Sequence, residues 1–452
     1  MSSAPVEAPD NALRQAAASQ HGFRAVVQSV WTKSAILILQ AGTGVLTART
    51  LGPDGRGELA AMILWPLFVA SVTTLGVPSS LIYQLRSKTD ERQRLAANGF
   101  AAAAVMGVVA GAIAAAVLPW WLHQYSPTLV HTAQLFLITV PLCSITLVGR
   151  AVLEATHDFV ASNAVQLLTP FVTLLGLLLF LAIHQMNPYT AAIAYIAASL
   201  PSFAFMLSRV IRAGFRVVRP ELAIARQILQ YGIRSYGIDI LGTLALQVDQ
   251  VLVVSLLSAG AMGSYIVVLS LSRMLNVFQN SVVMVLFPKA AGRDANAVLS
   301  MTGKCVRMSG LVTVLCGTVI CVAGHALLRV VYGAEYAAAA GALRILVLEA
   351  ILSGVTFVLA QAFMALDRPG VVTLLQGLGL SLSIPMMLLL IPRYGIYGAA
   401  VSLLASTTAR LIFVWSGFKI FLKRSAPRLI PDSGDVQSLM GACLHLVRER
   451  AA

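Results

Sequence analysis

Apolar residues in this chain gather into unbroken blocks of roughly twenty, separated by short stretches rich in glycine, proline or arginine. Twelve blocks stand out, at about 26–48, 59–83, 97–121, 132–153, 161–183, 190–210, 235–257, 265–287, 305–328, 342–366, 372–391 and 397–420. A hydrocarbon layer of about 30 Å is crossed by a helix of about 20 apolar residues, so each block predicts one transmembrane helix. Helices are required because the backbone in lipid must satisfy its hydrogen bonds within its own segment. Strands of a membrane barrel would show segments of about ten residues with alternating polarity. The pattern therefore predicts an all-α polytopic membrane protein with twelve transmembrane helices.

Composition agrees with that class. Hydrophobic residues make up 58% of the 452 and charged residues only 11%, where a soluble protein would carry about 25%. The net charge of +14 does not point to nucleic acid, because the basic residues lie between apolar blocks and not in one patch. Most of the 32 Lys and Arg fall in alternate connections, while the others hold only Arg49, Arg56, Arg329 and Arg393. By the positive-inside rule both termini are expected in the cytoplasm. Residues 1–25 read as a short disordered cytoplasmic tail without a cleavable signal. In the tail over 421–452, Val436, Leu439, Met440, Cys443, Leu444 and Val447 recur at helical spacing, which fits either an amphipathic surface helix or a frayed end.

The longest connection, 211–234, carries Arg212, Arg216, Arg219, Arg226 and Arg234 and separates two groups of six spans, 26–210 and 235–420. The two halves read as copies. When VLTARTLGPDGRG (45–57) is laid on VLVVSLLSAGAMG (251–263), Val45–Leu46 meets Val251–Leu252, Leu51 meets Leu257 and Gly57 meets Gly263. Halves with an even number of spans enter from the same side. Two six-helix lobes are then related by an axis along the membrane normal, with a substrate cavity at their interface.

The first hairpin, LTARTLGPDGRGELA (46–60), has Arg49 near the end of one span, a turn of Leu51, Gly52, Pro53, Asp54 and Gly55, and Gly57 opening the next. Together with QVDQVLVVSLLS (247–258) and VLFPKAAG (285–292), it resembles the polysaccharide flippases of the multidrug/oligosaccharidyl-lipid/polysaccharide exporter superfamily. The resemblance covers about residues 23–420. It implies alternating access by two lobes rocking around a hydrated, often cationic cavity. The implied cargo is a lipid-linked oligosaccharide of the undecaprenyl-pyrophosphate type, as in O-antigen synthesis, moved across the inner membrane by a monomer that is not an enzyme. Glycosyltransferases and a polysaccharide polymerase would be its partners, no cofactor is implied, and a proton or sodium gradient is a candidate energy source. In the turn itself, Pro53 ends a helix and Gly52 supplies a conformation closed to other residues, so Arg49, Gly52, Pro53 and Gly57 read as structural.

Ionisable side chains within the spans are the informative residues, since each costs roughly 2.5–3.5 kcal/mol to insert and needs a partner or a wet cavity. Arg273 has Asn276 and Asn280 at i+3 and i+7, so the three share one face of the eighth span. A guanidinium beside amides suits a phosphate, and an ion pair with Asp249 or Asp239 is the structural alternative. Lys33 shares a face with Gln40 and reads either as cavity lining or as a lysine reaching for headgroups. Asp239 and Asp249 are about 15 Å apart along one helix, too far to share a proton. Each of them, and Glu349 with Ser353 and Thr356, reads either as an ion-coupling acid or as a counter-charge. Gln166, Thr169 and Thr173 form a neutral stripe suited to helix-to-helix hydrogen bonds. No catalytic residue, metal site, disulfide or phosphate-cradling GxxxxGK[ST] loop is expected. Two other functions remain in competition. An ion-coupled drug exporter on the same fold would need an acidic cavity, and a membrane polymerase or glycosyltransferase would need a large outer loop.

Overall fold

The computed structural model describes residues 8–430 apart from 217, 291 and 292, with side chains described from Trp31 onward except at 89, 234–239, 246, 284–285 and 287–289. The amphipathic helix considered for the C-terminal tail lies outside the described residues. The chain is helical throughout, with no strand among the described residues. In order, the helices are α1 (Ala8–Thr73), α2 (Val77–Ser87), α3 (Arg92–Trp121), α4 (Pro127–Phe136), α5 (Val140–Ala155) and α6 (Phe159–Ala182). They are followed by α7 (Pro188–Ala197), α8 (Ser199–Arg212), α9 (Leu222–Leu256), α10 (Ala259–Arg273) and α11 (Asn276–Ala290). The last four are α12 (Ala295–Leu327), α13 (Ala340–Ala365), α14 (Pro369–Tyr394) and α15 (Ile396–Phe421). Among the described residues, nine helical stretches are long and apolar enough to cross a membrane, or ten if the bent pair α10 and α11 is one span.

Several expected spans are interrupted, and proline explains two of the breaks. A proline cannot donate to the carbonyl four residues before it. Pro141 sits just after a 3-10 turn at Leu137–Thr139 that separates α4 from α5, and Pro201 follows the break at Ala198 between α7 and α8. The first expected span and the start of the second run through α1, which turns at Gly52, where φ is 67° and ψ is −179°, and the second continues in α2. Only glycine adopts that backbone without strain, and Pro53 follows it in the chain. Helix extends beyond the apolar blocks at two places. The N-terminal segment is helical from Ala8, as its run of alanines favours. The basic connection after Arg212 is shorter as a loop than 211–234, because α9 begins at Leu222. Its Ile224 and Ile228 are buried against α2, α3 and α5, so the helix extends beyond the apolar block.

The described contacts divide into two compact units. One comprises residues 1–44, 69–114 and 136–235. Its core joins Val77, Leu81 and Leu85 of α2 to Leu95 of α3, Val148 and Val152 of α5, and Ile228 of α9. Several polar side chains in this unit pair with one another, as burial favours. Gln227 donates to Gln84 Oε1 at 2.6 Å, and Gln84 to Ser80 at 2.9 Å. Arg209 pairs with Asp158 at 2.6 Å. Thr169 and Ser202 hydrogen-bond at 2.7 Å between α6 and α8, as the neutral stripe suggested for Thr169.

The other unit comprises 45–68, 115–135 and 236–452. Phe363 of α13 and Phe418 of α15 pack with ring centroids 4.8 Å apart in its core. The hairpin around Gly52 belongs here. Arg49 donates from Nε to the Val331 carbonyl at 2.8 Å and also to the Val330 carbonyl, at the end of a π-helical turn over Leu328–Tyr332. A cation at a helix C-terminus is favourably placed. A Cβ at Gly57 would strike the backbone of Ala259, and one at Gly263 would strike the Pro53 carbonyl. Backbone approach this close requires residues without side chains.

Candidate functional site

A cavity of about 450 Å³ opens within the second unit, walled by α9, α10, α11, α13, α14 and α15. Arg273 projects at its edge from the last residue of α10, just before the 42° bend into α11. Its Nη2 donates to Asp249 Oδ2 at 2.9 Å, and the Tyr265 hydroxyl donates to the same oxygen at 2.9 Å. Asp249 is fully buried, whereas the Arg273 side chain keeps 31% exposure. The arginine is therefore the counter-ion of Asp249 and also part of the cavity wall. Asn276 and Asn280 line the cavity beside it. One face of a single helix was expected to carry Arg273, Asn276 and Asn280. The chain instead breaks at Met274–Leu275, and the bend brings all three to one wall.

Across the cavity, Glu349 of α13 accepts a hydrogen bond from Thr407 of α15 at 2.7 Å. Ser353 and Thr356 line the same wall, as the polar face of that helix suggested. Glu349 lies within Coulombic reach of both Arg273 and Arg410. Arg410, one turn beyond Thr407, makes no hydrogen bond or ion pair among the described residues, and its buried Nε has no partner there. The Asn276, Gln279 and Gln376 side-chain carbonyls are likewise buried without a described partner. Among the described side chains, the charges at the site are Arg273 and Arg410 against Asp249 and Glu349.

Other residues singled out in the sequence lie elsewhere. Lys33 and Gln40 stand exposed on α1 in the first unit and are not among the residues lining this cavity. Asp239 lies on α9, with its side chain outside the described residues. Arg49, Gly52, Pro53 and Gly57 lie in the hairpin described above. Arg410, a charge within an apolar block, and Gln279, Gln376 and Thr407 are site residues to which the sequence assigned no role. Gln279 could have been found, since it stands between Asn276 and Asn280 in an amide-rich turn.

A family model described as "Polysaccharide biosynthesis protein" matches residues 46–341. The chain belongs to that family. The matched segment includes the Gly52 hairpin, Asp249, Arg273 and the amides of α11, and it stops just inside α13. The family assignment thus covers part of the cavity wall and leaves Glu349 and Arg410 beyond it. Solved structures share the fold at low identity. One is an inward-facing multidrug resistance MATE family transporter of the MOP superfamily, 13% identical, covering 86% of this chain and 96% of its own, with a TM-score of 0.70. Another is the lipid II flippase MurJ in an inward closed conformation, 12% identical, covering 88% of each chain, with a TM-score of 0.75. No curated protein matches in a sequence search.

Proposed function

We propose that this protein is a flippase that carries a lipid-linked oligosaccharide, of the undecaprenyl-pyrophosphate type, across the inner membrane during polysaccharide synthesis. The observation that carries the reading is the polar cavity inside an otherwise apolar helical unit, where Arg273 stands beside Asn276, Gln279 and Asn280. Buried amide oxygens without protein partners are costly in a low-dielectric interior. They are tolerated where water or a hydroxyl-rich ligand supplies the missing donors. A guanidinium offers paired donors to phosphate oxygens. Family membership and the fold shared with MurJ support the same direction.

The mechanism is alternating access by twelve transmembrane helices in two six-helix lobes, 26–210 and 235–420, related by an axis along the membrane normal. Both termini face the cytoplasm. The headgroup is held in the cavity by Arg273 with Asn276 and Asn280, Lys33 and Gln40 are the candidate substrate contacts of the first lobe, and the lipid tail stays in the bilayer. Asp249, Asp239 and Glu349 are the candidate acids for coupling to a proton or sodium gradient. The protein works as a monomer alongside glycosyltransferases and a polymerase, and performs no catalysis itself.

An ion-coupled exporter of cationic drugs is the second reading. The specific observation in its favour is that Asp249 and Glu349 match Arg273 and Arg410 in number, so the described charges leave no net cationic site. Reconstituted vesicles separate the two. Vesicles loaded with undecaprenyl-pyrophosphate oligosaccharide should expose the sugar to an external glycosidase only when the protein is present. Absence of exposure, together with gradient-driven accumulation of a lipophilic cation, would overturn the flippase in favour of the exporter.

A further inference from the structure

Beside the main cavity lies a second one of about 220 Å³, lined by Leu378, Ser381 and Leu382 of α14 and by Ala409, Arg410 and Phe413 of α15. Leu382 and Phe413 are exposed on the outside of the helical unit, at 37% and 51%, where apolar side chains of a membrane protein meet lipid tails. Arg410 is the one residue that lines both cavities. Its side chain threads between α14 and α15 over Gly379, where an added Cβ would run into Cγ, Cδ and Nε of the arginine. Ser406 fastens the same place by donating to the Gly379 carbonyl at 2.7 Å.

A guanidinium at this depth, without a described hydrogen bond or ion pair, is expensive unless an anion meets it. Glu349 reaches it through space only, being engaged by Thr407. The groove on the outer side offers apolar walls and one hydroxyl, and no acid. We propose that Arg410 binds the phosphate of a membrane lipid whose tail lies in the groove between α14 and α15. The groove then joins the bilayer to the polar cavity through the wall of this unit. As a route for the lipid-linked substrate this rests on the flippase reading, but the binding site itself does not.

The test uses the purified full-length protein in detergent, incubated with a polyprenyl phosphate, the matching polyprenol or phosphatidylglycerol, with retained lipid counted by native mass spectrometry. Polyprenyl phosphate should be held at least tenfold more tightly than polyprenol. Arg410→Ala should remove that preference and Arg410→Lys should keep part of it. Leu382→Trp, at a lipid-exposed position, should fill the groove and lower retention about tenfold with unchanged thermal unfolding. Retention at wild-type level in Leu382→Trp, or equal retention of polyprenol and polyprenyl phosphate, would overturn the site. Equal retention of phosphatidylglycerol would overturn the substrate route and leave a general lipid-phosphate site. A protein that holds the lipid phosphate through Arg410 yet flips no oligosaccharide defeats the flippase reading alone. Wild-type flipping in variants that have lost retention defeats the route alone.

Discussion

Arg273 Nη2 lies 2.9 Å from Oδ2 of Asp249, and the two differ sharply in environment, the carboxylate fully buried and the guanidinium open to a cavity. Removing one member of a buried pair strands the other. Arg273→Ala therefore leaves Asp249 with only the Tyr265 hydroxyl, at a cost of about 3–5 kcal/mol. Thermal unfolding should show that loss, and Asp249→Asn in the same chain should recover most of it. Transport should behave differently. If Arg273 also grips the headgroup, the double variant folds but does not flip. Wild-type flipping by the double variant would reduce Arg273 to a counter-ion.

The hairpin glycines make a second prediction. Gly57 and Gly263 face backbone atoms across their contacts, whereas Gly42 has nothing within 4 Å of the place a Cβ would occupy. Gly57→Val should overpack by about 1–3 kcal/mol or more and lower folded abundance, while Gly42→Ala should be silent. Equal abundance of the two variants by fluorescence-detected chromatography would mean that the hairpin does not pack as closely as described.

Topology gives a third. Reporter fusions at Pro188, Gly260 and Tyr394 are expected to read outside, and fusions at Arg94, Arg219 and Arg293 inside, following the distribution of Lys and Arg. An inside signal at Gly260 would sink the twelve-span arrangement.

Helical class and most span positions were legible because long apolar blocks admit no other structure in lipid. Breaks were harder to read. Pro141 and Pro201 announce a lost hydrogen bond, but proline is also tolerated in membrane helices, so its presence alone does not locate the interruption at Leu137–Thr139 or Ala198. The bend after Arg273 has no proline to mark it. Individual charges were visible for the same reason the class was, since Arg273, Asp249, Glu349 and Arg410 interrupt apolar runs. What the sequence withheld was their grouping. Glu349 and Arg410 are sixty-odd positions apart and are brought to one wall by α13 packing on α15. Gln376 and Thr407 carry no unusual signal in a chain where short polar residues are scattered along every span.

The last prediction concerns Glu349. A pyrophosphate headgroup brings at least two negative charges, and a low-dielectric cavity holds them only against fixed positive charge. At this site the described arginines are balanced by Asp249 and Glu349. Asp249 is locked to Arg273 and to the Tyr265 hydroxyl. Glu349, by contrast, has one hydrogen bond, from Thr407, and lines the cavity directly. Protonating Glu349 is thus the simplest way to make the site net cationic, and losing that proton would weaken the grip and favour release. Glu349→Gln fixes the neutral form. It should bind the lipid-linked pyrophosphate at least as tightly as wild type, with binding that no longer falls as pH rises, and it should lose gradient-driven flipping. Wild-type binding should weaken as the carboxyl ionises. The measurements are binding across a pH series and gradient-driven flipping in vesicles, with protein abundance recorded for each variant. Unchanged pH dependence and full transport in Glu349→Gln would remove this acid from coupling and assign it to holding α13 against α15 through Thr407.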